Sequence, residues 1–114
     1  MDMPTYDEFI NPILQALWEG GGSLTQVEMV DAVERIMHLP ETVMERRHAR
    51  YSMIREFDYC LSLAQAYLKK MGYLTRSARG VWVLTPRGRS VGDVDEPTSV
   101  WEVRNVSRAR RKVK

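Results

Sequence analysis

The chain has 114 residues, 44% of them hydrophobic and 28% charged, which supplies apolar material for one compact core and not for two. Its longest apolar stretch is a few residues, far short of the roughly 20 that cross a bilayer, and its acidic start MDMPTYDEF is unlike a signal peptide, so a cytoplasmic protein without membrane contact is expected. A single cysteine, Cys60, excludes an intrachain disulfide, a thiolate metal cage and a two-cysteine redox motif.

The formal charge of +2 hides a division. Up to Glu45 there are nine acids against one base, a net −8, whereas from Arg46 onward sixteen bases face six acids, a net +10. Residues 69–92 carry Lys69, Lys70, Arg76, Arg79, Arg87 and Arg89 and no acid. Such polarity gives the local positive field that phosphate binding requires; the alternative is that the two halves neutralise each other in salt bridges.

In chain order, Thr5-Tyr6-Asp7-Glu8 is a capping box that starts a first helix. Phe9, Ile10, Ile13, Leu14 and Leu17 form its apolar face, Pro12 is expected to bend it, and Gly20-Gly21-Gly22 ends it. Ser23-Leu24-Thr25-Gln26 repeats the capping pattern for a second helix whose inward face is Val27, Val30, Val33, Ile36 and Met37, stopping near His38-Leu39-Pro40. Residues 41–50 predict a short, mostly exposed helix and an irregular join.

The clearest helix spans residues 57–71, with Phe57, Leu61, Ala64, Leu68 and Met71 on one face and Gly72 as left-handed cap. Its other face presents Tyr59, Ser62, Gln65, Ala66, Lys69 and Lys70, a mixture suited to contact rather than an ordinary solvated face. Tyr73-Leu74-Thr75 and Val81-Trp82-Val83-Leu84-Thr85 are β-favouring runs around a polar loop, Arg76-Ser77-Ala78-Arg79-Gly80, which predicts a hairpin. Thr85-Pro86-Arg87-Gly88 turns the chain away.

These elements predict an α+β, mainly helical fold: a winged helix-turn-helix with three to four helices and a C-terminal β-hairpin wing. It occupies residues 1–92, and residues 93–114 form a linker and a basic tail, with a short strand at Val100-Trp101-Glu102-Val103 and an arm for a polyanion in Arg108, Arg110, Arg111, Lys112 and Lys114. A helix fits the major groove of B-DNA and a hairpin beside it reaches the backbone, so double-stranded DNA is the expected partner. The candidate contacts are Tyr59, Ser62, Gln65, Lys69 and Lys70 on the helix, Arg76, Ser77 and Arg79 on the hairpin, and Arg87 after it. Gln65 is the candidate for bidentate contact with adenine.

Four segments carry a more specific signal: PTYDEFINPILQAL at residues 4–17, FDYCLSLAQAYLKKMGYL at 57–74, RGVWVLTPRGR at 79–89 and, more loosely, the second helix. In this order they resemble the N-terminal domain of Mrr-type restriction endonucleases over about three quarters of the chain. The resemblance implies a winged-helix targeting module that directs a separate nuclease domain or subunit to DNA, often modified DNA. Nothing after Gly88 matches the catalytic domain, with its acid and later Gln-x-Lys or Glu-x-Lys strand, so the chain is expected not to be an enzyme. It departs from the family where Arg often stands at Cys60 and Trp at Leu63, so no preference for a methylated base is carried over. Arg55 or the tail is then expected to replace a phosphate contact at position 60.

Other constellations point to packing. His38 and His48 lack the companions of a metal site, no nucleophile stands at a Gly-x-Ser-x-Gly turn, and no metal or cofactor is expected. Trp18 and Trp101 are expected as packing anchors, Trp82 either as a wing-to-core anchor or as a stacking partner for a base, and Met29, Met37, Met44, Met53 and Met71 as core fillers. The rival function is a protein-interaction or dimerisation winged helix, with the homodimer as its simplest form, or a transcriptional regulator.

Overall fold

The first helix is wound in two stages. In the computed structural model, which describes residues 3–77 and 79–90, a 3-10 turn at Tyr6–Phe9 runs directly into helix α1, Ile10–Glu19. The Thr5 backbone N–H donates to the Glu8 carboxylate at 2.8 Å, and the Thr5 hydroxyl donates to Asp7. Pro12 is the third residue of α1, where a backbone N–H has no carbonyl partner within the helix. The discontinuity expected at Pro12 therefore lies ahead of it, where 3-10 winding gives way to α. Phe9, Ile10, Ile13, Leu14, Ala16 and Leu17 are buried, but Trp18 is 63% exposed and is not the packing anchor expected, because it lies past the edge of that stripe in the last turn.

Gly21 and Gly22 take φ of 80° and 102°, a backbone that L side chains rarely adopt, and bring the chain into a two-residue strand β1, Ser23–Leu24, which the sequence pattern did not predict. Helix α2, Gln26–Met37, is capped two residues later than expected. The Thr25 N–H donates to Glu28 at 2.9 Å and the Glu28 N–H to the Thr25 hydroxyl at 3.2 Å. Met29, Ala32 and Val33 are buried and Val30, Ile36 and Met37 pack partly buried against the core, while Val27, expected to face inward, is 72% exposed in the first turn. His38 ends α2 in the left-handed region at φ 56°.

Helix α3, Glu41–Met44, buries Val43. Residues 45–55 fold back on themselves, with the His48 N–H donating to the Ile54 carbonyl at 3.0 Å and the Glu56 N–H to the Arg46 carbonyl at 2.8 Å. This places Met53 at 91% exposure, against its expected place in the core.

Helix α4, Glu56–Met71, buries Phe57, Leu61, Ala64, Leu68 and Met71 as its periodicity predicts, and Gly72 closes it at φ 82°. Strands β2, Leu74–Arg76, and β3, Trp82–Leu84, form the hairpin. β3 is the centre of a three-stranded antiparallel sheet ordered β1-β3-β2, in which Trp82 lies opposite Arg76 on one side and Leu24 on the other. Helix α5, Pro86–Ser90, begins where the chain was expected only to turn. Thr85 accepts from the Gly88 N–H at 3.1 Å and donates to the Gly72 carbonyl, Pro86 takes the first helical position, and Gly88 lies against the Tyr73 carbonyl so closely that a Cβ would sit 2.0 Å from its oxygen.

One core unites these elements, with the Phe9 and Phe57 rings 5.2 Å apart at its centre. The architecture is α+β, mainly helical, with a winged-helix-like order of elements. Among the described residues no helix is long and apolar enough to cross a membrane. The expected linker, the strand around Trp101 and the basic arm lie outside the described residues.

Candidate nucleic-acid interface

Burial of the apolar stripe of α4 leaves Ser62, Ala66 and Lys69 exposed along the opposite side at spacings of four and three. The hairpin lies beside this stripe, and between them runs an open groove of about 450 Å³ lined by Gln26, Ser62, Gln65, Ala66, Lys69, Arg76 and Trp82. Four of the nine candidate residues, Ser62, Gln65, Lys69 and Arg76, therefore share one feature, and no acidic side chain lines it.

Gln65 is placed differently from its expected role. It is 3% exposed, its Nε2 donates to Gln26 Oε1 at 3.0 Å and lies 2.8 Å from the Met29 sulfur, so the side chain ties α4 to α2 and does not reach out to an adenine. It stands one turn from the buried Leu61 and Leu68, at the flank of the core stripe rather than on the outer face, and Gln26 and Met29 of α2 cover it there. Tyr59, one turn before Ser62, is half-buried, its ring 4.0 Å from His48, which in turn stacks on Tyr51 at 5.3 Å. The His48 Nδ1 accepts from the backbone N–H groups of Arg50 and Tyr51, so this histidine orders the 45–55 loop at the entrance to α4.

On the hairpin, the Arg76 guanidinium lies over the Trp82 ring at 5.1 Å, which holds a cation at the rim of the groove. Ser77 shapes the tip: its N–H donates to the Val81 carbonyl at 2.8 Å and its carbonyl accepts from Gly80 at 3.0 Å. Arg79 is exposed at the same tip. Lys70 and Arg87 are exposed outside the groove, Lys70 over the Tyr67 ring at 5.5 Å and Arg87 over the Tyr73 ring at 4.8 Å.

The two charged halves do not neutralise each other at this face. Arg35 lies 3.8 Å from Glu19, and Arg55 joins Glu34 at 2.8 Å and Asp58 at 2.9 Å, but Lys69, Arg76 and Arg79 have no acidic partner among the described residues. Arg55 is thereby withdrawn from the phosphate role expected of it. Position 60 faces the core: Cys60 is buried, and burial, with Glu56 adding to it, pushes its thiol up to about 11, so it stays protonated at neutral pH. Among the described residues no three His, Cys, Asp or Glu side chains are grouped to hold a metal.

Gln26 is the groove residue that the sequence pattern missed. It follows the true cap, Thr25, at the first position of α2, whereas a cap at Ser23 made it the third residue of the helix. Its Oε1 accepts from the Trp82 Nε1–H at 2.7 Å as well as from Gln65, so α2, α4 and the hairpin meet at one oxygen.

The family model of the Mrr N-terminal domain matches residues 6–93. No curated protein and no solved structure matches the chain. The matched span runs from the first 3-10 turn through α5, includes the groove and the three elements that line it, and is to the N-terminal domain alone. The chain belongs to the Mrr N-terminal domain family.

Proposed function

We propose that the chain is a double-stranded DNA-binding module of a restriction system, acting in the cytoplasm without catalytic activity of its own and serving a nuclease domain or subunit. The observation that carries this reading is the acid-free groove between α4 and the hairpin, with Lys69 and Arg76 at its rim. A helix of α-helical diameter fits the major groove of B-DNA, and its exposed stripe of Ser62, Ala66 and Lys69 is free of bulky apolar side chains that would oppose that approach. Arg76 and Arg79 on the adjacent hairpin are then within reach of the neighbouring backbone, where cations supply most of the sequence-independent affinity.

Binding to short duplexes across a salt series tests the proposal. Log affinity is expected to fall linearly with log salt, and changing Lys69, Arg76 and Arg79 together to Ala is expected to flatten the slope by about 0.9 for each phosphate that is no longer neutralised. Absence of binding at low salt, or a slope indifferent to the triple change, would overturn it.

A second reading, as a protein-interaction module, is favoured by one observation: Tyr51, Met53 and Ile54 are exposed together in the 45–55 loop. Sedimentation separates the two. A tight dimer unable to bind duplex DNA supports the second reading, and a monomer that binds DNA supports the first.

A further inference from the structure

The groove has a hydrogen-bonding polarity that follows from one indole. A Trp Nε1–H only donates, so the Gln26 atom 2.7 Å from it is the carbonyl oxygen and the orientation of the carboxamide is settled by chemistry. The Gln65 Nε2 donates to the same oxygen at 3.0 Å, and two donors use both of its lone pairs. What Gln26 has left is its amide NH₂, on the other side of the carboxamide carbon, with no hydrogen-bond partner among the described residues. Lys69 and Arg76, which also line the groove, only donate, Ala66 contributes nothing polar, and the side-chain oxygens able to accept are those of Ser62 and of Gln65, the latter on a residue only 3% exposed.

From this we propose that Gln26 is a DNA-recognition residue that donates its amide N–H to an acceptor-only face of the duplex, the guanine N7/O6 edge or a phosphate oxygen. The inference rests on the DNA-binding reading and adds to it what the groove accepts. Bidentate pairing of a glutamine with adenine needs the amide oxygen to accept from the adenine N6 amino group, and here that oxygen is already occupied. Gln26 therefore does not form the two-bond pair with adenine that a glutamine in such a groove would ordinarily suggest. The position suits the role: Gln26 opens the 12-residue helix α2, so its amide projects where the positive end of the helix dipole also favours an electron-rich partner.

The test is a binding cycle with Gln26→Glu, which keeps an oxygen toward Trp82 and Gln65 and removes the NH₂. Affinities of wild type and variant are compared on a G·C-containing duplex, on the same duplex with 7-deazaguanine, and on one with methylphosphonate linkages. On the natural duplex the variant is expected to bind about tenfold more weakly. If the difference vanishes on 7-deazaguanine, guanine is the acceptor; if it vanishes on methylphosphonate, phosphate is. Side-chain amide NMR of wild-type protein supplies a readout free of the added charge and of any folding defect in the variant: the Gln26 NH₂ resonances are expected to shift on titration with the natural duplex. Salt-dependent binding with unmoved Gln26 resonances, or with a variant equal to wild type on every duplex, would overturn this inference and leave the DNA-binding reading standing. Failure of wild type to bind any duplex would remove both.

Discussion

The Trp82 indole N–H donates to the Gln26 side-chain oxygen at 2.7 Å and so locks the hairpin to the first turn of α2 across 56 positions of sequence. Trp82 is buried, and the oxygen it meets also receives Gln65 from α4. One hydrogen-bonded cluster thereby sets the spacing of the three elements that form the groove. Trp82→Phe removes the donor and some packing volume while keeping a ring for Arg76. A loss of about 2 kcal/mol is expected in urea denaturation, with Gln26 freed to turn and the selectivity of the groove blurred in duplex binding.

Arg55 joins α4 to α2 by contacts to Glu34 and Asp58, in side chains that are roughly one third exposed. Its guanidinium is held firmly protonated, chiefly by the Asp58 hydrogen bond. Arg55→Met is expected to cost about 1 kcal/mol, a modest figure because solvent screens the pair, and to leave the salt dependence of DNA binding unchanged. Parallel denaturation and binding measurements check both parts. A reduced salt slope would show Arg55 to be a phosphate contact after all.

Gly88 marks the tightest approach of α5 to the rest of the fold. A Cβ there would sit 2.0 Å from the Tyr73 carbonyl oxygen, a backbone atom that cannot turn aside. Gly88→Ala is expected to lower stability by about 2 kcal/mol or more by displacing α5 from the Tyr73 backbone. Thermal melting measures the loss, and faster amide exchange of Gly88 and Arg89, whose N–H groups bond to Thr85, locates it.

The Glu28 carboxyl is held below its ordinary value of 4.5, first by the Thr25 backbone N–H and then by the Thr25 hydroxyl. A carboxylate with a depressed folded-state pKa contributes stability above its unfolded value, and the contribution is lost as pH falls through the folded value. Thermal melts of wild type and Glu28→Ala are expected to differ most near neutrality and to converge in acid below pH 4.5. A difference that grows on acidification would contradict the capping role.

Much of the architecture was legible in local pattern. The 3.6-residue period of residues 57–71 with Gly72 behind it defined α4 and its buried stripe, and two β-favouring runs around a polar loop defined the hairpin, because both depend on neighbours a few positions away. The basic character of the C-terminal half was equally plain, since charge is counted rather than folded. Among the departures from local pattern, the cap of α2 stands at Thr25 rather than Ser23, so that helix begins two residues later than expected.

Tertiary structure decided the groove. Gln65 stands at the flank of the α4 stripe, between buried Leu61 and exposed Lys69, and Gln26 and Met29 of α2 complete its burial; Gln26 looks like any polar residue in a first turn until Trp82 arrives from 56 positions away to orient its amide. A two-residue strand such as Ser23–Leu24 has no periodicity to detect and exists because β3 pairs with it. Local propensity thus determined which segments are helices and hairpin and where positive charge collects. Which polar atoms are consumed inside and which remain to meet a ligand was settled by long-range hydrogen bonds, whose partners no short window of sequence contains.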